Sequence, residues 1–391
     1  MLLLEADGKR LFDQAGIAVP PGVLMDASGM PEPLPGAGPW IAKAQVPVGG
    51  RGKAGGVLPV ASARALPAVL ARLIGLRIKG KETREVLVEA MCEGTEQYLA
   101  VLVDAGAGGV RLLYSPSGGM EVESHAAGEG GFNELVPLDR AALHAAARRL
   151  AASAPASQQA GLQDVAQRLV DVFLDRELLL AEINPLFARS DGGFVAGDAK
   201  VVIDMSAMPR QPGLRGLLEA RREHYPDAWR KLSEDLDFVE IDPHGEVGLV
   251  TTGAGLSMML IDELVAQGLR PFNFCDMRTG QMRGSPVRLV RIFEWLAAAP
   301  DIRVVLVNIF AGITDLAEFS QLLVDALRAR GGMRQPIVAR LVGNGEEAAR
   351  QILAANADLR IYFEPDLDRA VARVAQLLQA APAAPEASHV A

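Results

Sequence analysis

From residue 244 onward, short apolar runs alternate with helical patterns, and this alternation constrains the fold more than any other feature of the chain. The runs lie near 246–251, 271–275, 302–309, 336–341 and 359–362, with helical periodicity between and after them. A strand covered on both faces reads as a continuous apolar run, and neighbouring parallel strands need a helical crossover. The pattern predicts a parallel, doubly wound α/β sheet spanning 244–381. In such a sheet, ligands bind beyond the carboxyl ends of the strands.

The first half follows a different plan. Leu3, Leu4, Leu11 and Phe12, with polar residues between, predict a short helix ending near Gly16, before a Pro20-Pro21 turn. A strand over 40–46, the glycine-rich stretch Gly49–Gly56 and a strand over 57–60 read as a hairpin rather than the strand-loop-helix of a P-loop. Strands are expected at 86–89, 97–104, 110–123 (with a Gly118-Gly119 turn), 178–184 and 194–198. Helices are expected at 62–76, 139–153 and 162–176. Between 205 and 243 charges cluster and no strand signal appears, so this stretch reads as a helical connector. The Ala/Pro-rich end, 382–391, reads as a disordered tail.

Composition narrows the function. With 391 residues, two or three domains are expected. Half the residues are hydrophobic, enough to bury a sizeable core. The net charge of −9 carries no basic footprint for nucleic acid or an anionic membrane, and 5% aromatic residues offer few stacking platforms. The two cysteines, Cys92 and Cys275, form no metal or redox spacing. No apolar run reaches the ~18 residues of a membrane span, and the N-terminus turns acidic at once. A cytoplasmic protein is expected.

Four constellations can carry chemistry. Lys43 and the Gly49–Gly56 loop, with Arg51 and Lys53, place close-approaching backbone N–H groups beside positive charge, which suits a polyphosphate; an exposed hairpin tip is the alternative. Glu182 and Asn184 share one face of a strand, with Asp198 expected on its partner strand. Such hard oxygen ligands suit Mg²⁺ held against phosphates; a solvated sheet face is the alternative. Thr251–Met258 and Phe310–Asp315 each join a strand to a helix, and helix N-termini at one sheet edge favour anions. Thr314 is the expected cap of the second helix.

Together these stretches resemble the beta subunit of succinyl-CoA synthetase (succinate–CoA ligase, nucleoside-diphosphate-forming) over about residues 1–380. The likeness rests on Lys43–Gly56, Leu180–Leu186, Gly253–Leu256 and Val307–Ile313. It implies an ATP-grasp domain over 1–204 and a flavodoxin-like CoA-ligase domain over 244–381. It implies nucleotide contacts at Lys43, Gly50, Arg51, Gly52, Glu89, the Cys92 backbone and Glu96. It implies Mg²⁺ ligands at Asn184 and Asp198, and a catalytic role beside a phosphohistidine for Glu182. Substrate contacts fall on Thr252, Gly312, Ile313 and Thr314. Pro20 implies ATP over GTP. ATP and CoA are the implied co-substrates. The phosphorylated histidine belongs to an alpha-subunit partner in a hetero-oligomer. The chain's own His125, His144, His224, His244 and His389 read as surface or turn residues.

The sequence also departs from that family. After Asp276, where a glycine triplet is usual, it reads Met277-Arg278-Thr279-Gly280-Gln281-Met282-Arg283. Asp315 stands in place of an arginine, Thr252 of an asparagine and Ala311 of a glycine. Arg278 or Arg283 is therefore expected to pair with the distal anionic group of an acid other than succinate, such as malate, itaconate or a sulfo-substituted acid. An ordinary succinate enzyme, a non-catalytic nucleotide-binding subunit and a carboxylate–amine ligase are the alternatives.

Overall fold

A computed structural model describes residues 1–28, 33–36, 38–118, 131–282, 284–312 and 314–380. The expected turn at Gly118-Gly119, the end of the 110–123 strand, the tail, Ile313, Arg283, His125 and His389 fall wholly or partly outside them. The chain divides into two compact units, Met1–Arg215 and Gly216–Ala391.

The first unit holds helix α1 (Glu5–Gln14), strands β1 (Gly22–Met25), β2 (Trp40–Ala44) and β3 (Val57–Val60), helix α2 (Leu66–Leu73), the small hairpin β4 (Arg77–Ile78) and β5 (Lys81–Glu82), and β6 (Val86–Ala90). It continues with β7 (Thr95–Asp104), β8 (Gly109–Ser115), β9 (Phe132–Val136), α3 (Arg140–Ala152), α4 (Ala156–Asp175), β10 (Leu178–Ala188), β11 (Phe194–Ala196) and β12 (Lys200–Ile203). One antiparallel sheet runs β1-β6-β2-β3 and a second runs β11-β10-β7-β8-β9, with β12 also on β10. The glycine-rich stretch is a hairpin loop, with Trp40 opposite Val60 and Lys43 opposite Val57.

Side-chain alternation divides the first sheet's labour. Trp40, Ala42, Val86 and Val88 pack with Leu66 and Leu73 of α2. The intervening Ile41, Lys43 and Glu89 line a cavity on the other face. In the second sheet, α3 lies on β8 and β9 and α4 on β7 and β10. Glu96 and Tyr98 of β7, and Glu182 and Asn184 of β10, line the same cavity.

The stretch expected to be a strand-free helical connector carries α5 (Pro212–Ala220) and α6 (Pro226–Glu234), but also strand β13 (Asp237–Glu240). Strand β13 pairs with β15 (Asn273–Asp276). Four residues with one buried side chain, Phe238, gave too short a signal to read.

The second unit continues with β14 (Val247–Thr251), α7 (Ala254–Ala266), α8 (Val287–Ala298), β16 (Val304–Ala311), α9 (Leu316–Ala329), β17 (Ile337–Gly343), α10 (Glu346–Ala355), β18 (Ile361–Phe363) and α11 (Leu367–Ala380). Strands β14, β16, β17 and β18 form a parallel sheet in that order. Val305, Val307 and Ile309 face α8 and α9. Val304 and Leu306 face α7 and α11. The sheet is thus wound on both faces, as the apolar runs predict.

Strand β15 joins the free edge of β14 in an unusual way. Phe272 N donates to Val247 O at 2.8 Å and Met277 N to Thr251 O at 2.9 Å. Between them the buried Asn273 side chain supplies both rungs. Its Oδ1 accepts Leu249 N at 2.8 Å, and its Nδ2 donates to Leu249 O at 2.9 Å. The strand order becomes β15-β14-β16-β17-β18, the flavodoxin-like order with its switch between β14 and β16.

Removing this amide leaves two buried backbone groups unpaired, each costing about 1–3 kcal/mol. Asn273→Ala should lower stability by about 2–6 kcal/mol in urea unfolding followed by tryptophan fluorescence. An unchanged midpoint would show that the amide is not needed to hold β15.

Candidate functional site

The cavity of the first unit, about 1000 Å³, is lined by Pro20, Lys43, Gly50, Arg51, Gly52, Glu89, Cys92, Glu96, Glu182, Asn184 and Asp198. Every residue of the first half singled out from the sequence as a site residue therefore meets at one place.

Local chain geometry brings them there. The glycine loop turns on itself through Ala54 N to Gly50 O at 3.2 Å and Gly56 N to Arg51 O at 2.9 Å. Gly50 holds φ +84, a left-handed conformation that favours glycine. On β10, Glu182 and Asn184 alternate with buried Ala181 and Ile183. Strands β11 and β12 run along the same edge of β10, and the chain between them holds Asp198. Asp198 is thus in a connector, not on the partner strand itself. A Cβ on Gly197 would lie 2.3 Å from the Phe187 ring, so only glycine fits there.

The floor of the cavity is a buried ionic network that sequence patterning did not reveal. Lys43 Nζ lies 2.8 Å from Glu5 Oε1 and 3.0 Å from Glu89 Oε2. Lys9 Nζ lies 2.9 Å from Glu5 Oε1 and 2.6 Å from Glu89 Oε2. Both ammonium groups donate to Gly197 O, at 2.9 and 2.6 Å. Arg51 reaches Glu5 Oε2 at 2.6 Å and Asp198 Oδ2 at 2.9 Å. Three cations face three carboxylates. Charged residues are rarely buried unless paired, and α1 buries Glu5 and Lys9 because this network pairs them. Their i,i+4 spacing was the available signal.

Burial pushes the Glu5 carboxyl up, but Lys43, Lys9 and Arg51 outweigh it and hold the group well below the usual carboxylate range. For Lys43, burial opposes the charge, and Glu5, Glu89 and Asp198 reverse the balance, so its ammonium lies above the ordinary lysine range. Arg51 is raised in the same way by Glu5 and Asp198 against burial. Burial also pushes the Cys92 thiol up, which makes it a poor nucleophile.

Asp198 also accepts Ala199 N at 2.6 Å. Glu182 lies 3.2 Å from Lys200 Nζ. Among the described residues no three acidic, histidine or cysteine side chains cluster as a metal cage. Asn184 and Asp198 still fit Mg²⁺, which keeps several waters and takes one or two protein ligands beside substrate phosphates.

At the carboxyl edge of the parallel sheet, Thr252 and Thr314 approach a common neighbour, Thr279. Thr314 Oγ1 donates to Thr279 Oγ1 at 3.1 Å, and Thr252 Oγ1 lies 3.4 Å from it. Gly312 follows β16 beside them. Arg278 does not join this group. Its guanidinium binds Asp235 at 3.0 Å and Asp237 at 2.7 Å, so two carboxylates already neutralise the charge expected to meet a substrate anion.

Asp315, not Thr314, caps α9, accepting Ala317 N at 2.7 Å and Glu318 N at 3.3 Å. That carboxylate occupies the helix start expected to attract an anion. The cap of α7 is Gly253, which brings no side chain to that helix start. His144 pairs with Asp171 and His244 with Asp301, each at 2.9 Å.

The profile of the ATP-grasp domain matches residues 2–188 and that of the CoA-ligase domain residues 250–374. The succinate–CoA ligase [ADP-forming] subunit beta of Desulfurococcus amylolyticus is 32% identical over 97% of this chain and 99% of its own length. The chain belongs to this beta-subunit family of ADP-forming CoA ligases. Succinate–CoA ligase [ADP-forming] subunit beta 2 of Streptomyces coelicolor is 33% identical over 99% of this chain and 100% of its own. ATP citrate lyase from Methanothrix soehngenii, solved with citrate and coenzyme A, shares the fold at TM-score 0.68 and 18% identity, covering 97% of this chain and 99% of that one. No helix among the described residues is long and apolar enough to cross a membrane.

The Glu5 network makes stability depend on pH with a definite sign. A carboxyl held below its ordinary value near 4.5 contributes stability present above that pH, lost as pH falls through the depressed value. Glu5→Gln leaves three buried cations facing two carboxylates. It should cost about 3–5 kcal/mol at pH 7. The Tm of this variant should also fall less steeply than wild type between pH 5 and about pH 3. Parallel Tm curves over that range would remove Glu5 from the acid response.

Proposed function

We propose that this chain is the nucleotide-binding subunit of an ATP-dependent, ADP-forming carboxylate–CoA ligase that works through a histidine of an alpha-type partner. The observation that carries this reading is the convergence of the glycine loop, the Lys43–Arg51 cations and the Asn184–Asp198 oxygens on one cavity. Its shape and charge suit a nucleoside triphosphate.

In this reading the Gly50–Gly52 backbone and Lys43 hold the phosphates, with Glu89, Glu96 and the Cys92 backbone toward the nucleoside. Asn184 and Asp198 would hold Mg²⁺, whose charge offsets that of the transferring phosphoryl group. Arg51, now on Asp198 and Glu5, is placed to share its guanidinium with a phosphate when Asp198 takes the metal.

The imidazole nitrogen of the partner's histidine attacks the γ-phosphorus, and ADP leaves. Glu182 accepts a hydrogen bond from the other ring nitrogen and steadies the charge on the ring. A carboxylate oxygen of the acid then takes the phosphoryl group, giving an acyl phosphate and neutral imidazole. The CoA thiolate attacks the acyl carbon and inorganic phosphate leaves.

Thr252 and the Gly312–Thr314 loop bind the acid at the sheet edge. The acid is a small dicarboxylate or related dianion. Because Arg278 is engaged by Asp235 and Asp237, selection among such acids falls to the loop backbone and its hydroxyls.

The test is CoA-dependent ADP release by the chain co-expressed with its alpha-type partner, with ATP, Mg²⁺ and succinate, malate, itaconate, sulfoacetate and short monocarboxylates. At least one dianion should lead the monocarboxylates by tenfold or more in kcat/KM, about the 1.4 kcal/mol of one charge-assisted hydrogen bond. No turnover with any acid would overturn the ligase assignment. Asn184→Ala should raise the half-saturating Mg²⁺ at least about tenfold, a loss typical even of an outer-shell metal partner. An unchanged Mg²⁺ requirement would remove it from the metal site.

A further inference from the structure

Thr279 lies in the loop after β15, at the start of the short helical turn Thr279–Gln281. That loop is fastened on both sides of it. Met277 and Met282 are buried in the hydrophobic core, and Arg278 is tied to Asp235 and Asp237. A short helical turn, with Met282 N donating to Thr279 O at 3.0 Å, closes the segment. Thr279 itself is only 9% exposed. Arg278, which looks out of place in a glycine-type loop, thus holds the segment that presents Thr279.

The hydrogen bonds at Thr279 have a direction. Thr314 Oγ1 donates to Thr279 Oγ1 at 3.1 Å. Thr252 Oγ1 lies 3.4 Å from Thr279 Oγ1, and either hydroxyl can donate across that contact. Thr279 N also approaches Thr252 Oγ1, at 3.5 Å. When Thr279 Oγ1 also donates, Thr252 accepts twice and its own hydroxyl proton is left to donate to a ligand.

We infer that Thr279 is a positioning residue for the acid substrate. It relays a hydrogen bond from Thr314 to Thr252 and so fixes Thr252 as a donor to a carboxylate oxygen of a small organic acid. The inference rests on the reading of Thr252 and the Gly312–Thr314 loop as the acid-binding edge. It adds to that reading a residue from a third strand-to-helix loop and a defined donor direction.

The test uses the full chain in complex with its alpha-type partner. Thr279→Val keeps the shape and removes the hydroxyl, while Thr279→Ser keeps the hydroxyl. The acid is varied at saturating ATP and CoA. Thr279→Val should raise KM for the preferred acid about tenfold, the loss of one hydrogen bond to a charged group. Its kcat should stay within about twofold and its KM for ATP should be unchanged, because ATP is placed by other residues. Thr279→Ser should match wild type. Thr252→Val should show the same KM defect, and the double variant no more than either single.

An unchanged acid KM in Thr279→Val would overturn the inference. So would a Thr279→Ser variant as impaired as Thr279→Val, or an equal rise in the KM for ATP. If the wild-type complex makes no acyl-CoA, the ligase reading fails separately. The inference is then decided by thermal shift of the full chain with the same acids. Protection of wild type and Thr279→Ser but not Thr279→Val supports it, and equal or absent protection in all three overturns it.

Discussion

Everything in the first unit depends on one carboxylate out of water. Glu5 sits at the start of α1 and touches Lys9, Lys43 and Arg51. Desolvating a lone carboxylate costs several kcal/mol, so Glu5 can be buried only because three cations surround it. The reverse also holds. Lys43 and Arg51 can line a buried cavity only because Glu5, Glu89 and Asp198 answer their charge. The network joins α1, strands β2 and β6, the glycine loop and the β11–β12 connector, elements far apart in sequence. It fixes the cationic groups without rotamer freedom, which lowers the entropy lost when an anion binds.

The two sheets of that unit use alternation to separate stability from chemistry. One face of each is apolar and covered by helices. The other carries Lys43, Glu89, Glu96, Glu182 and Asn184 toward the cavity. A one-residue slip of register would exchange the two faces. The site is therefore specified by the same strand pairing that specifies the core. In the second unit the division is by position along the strand. The amino-terminal parts of β14, β16 and β17 are apolar on both faces, and Thr251, Asn308 and Arg340 bring polar side chains farther along them.

Much of this was legible in the sequence. The five C-terminal strands announce themselves as apolar runs because both faces are covered. Lys43, the glycine loop, Glu182 and Asn184 are legible because a hairpin and a two-residue period are local patterns. What stayed hidden depends on long-range partners. Glu5 and Lys9 read as the polar side of a surface helix until Glu89 and Gly197 are brought beside them. Arg278 looked available because its partners, Asp235 and Asp237, are about forty residues away in a stretch read as connector. Thr314 and Asp315 are both good caps, and sequence places a helix start only to within a residue or two. Asn273 gave no signal, since nothing local marks an amide that replaces backbone rungs.

That amide separates the anchoring of β15 from the loop that follows it. Strand β15 is latched to β14 by Phe272, Asn273 and Met277, all at or before the point where the following loop begins. Among the described residues, none after Met277 supplies a rung between β15 and β14. Exposed Gly280 can change without touching those rungs, whereas Arg278 and Met282 are held by Asp235, Asp237 and the core. The strand order is thus set before the chain reaches the loop that carries Thr279.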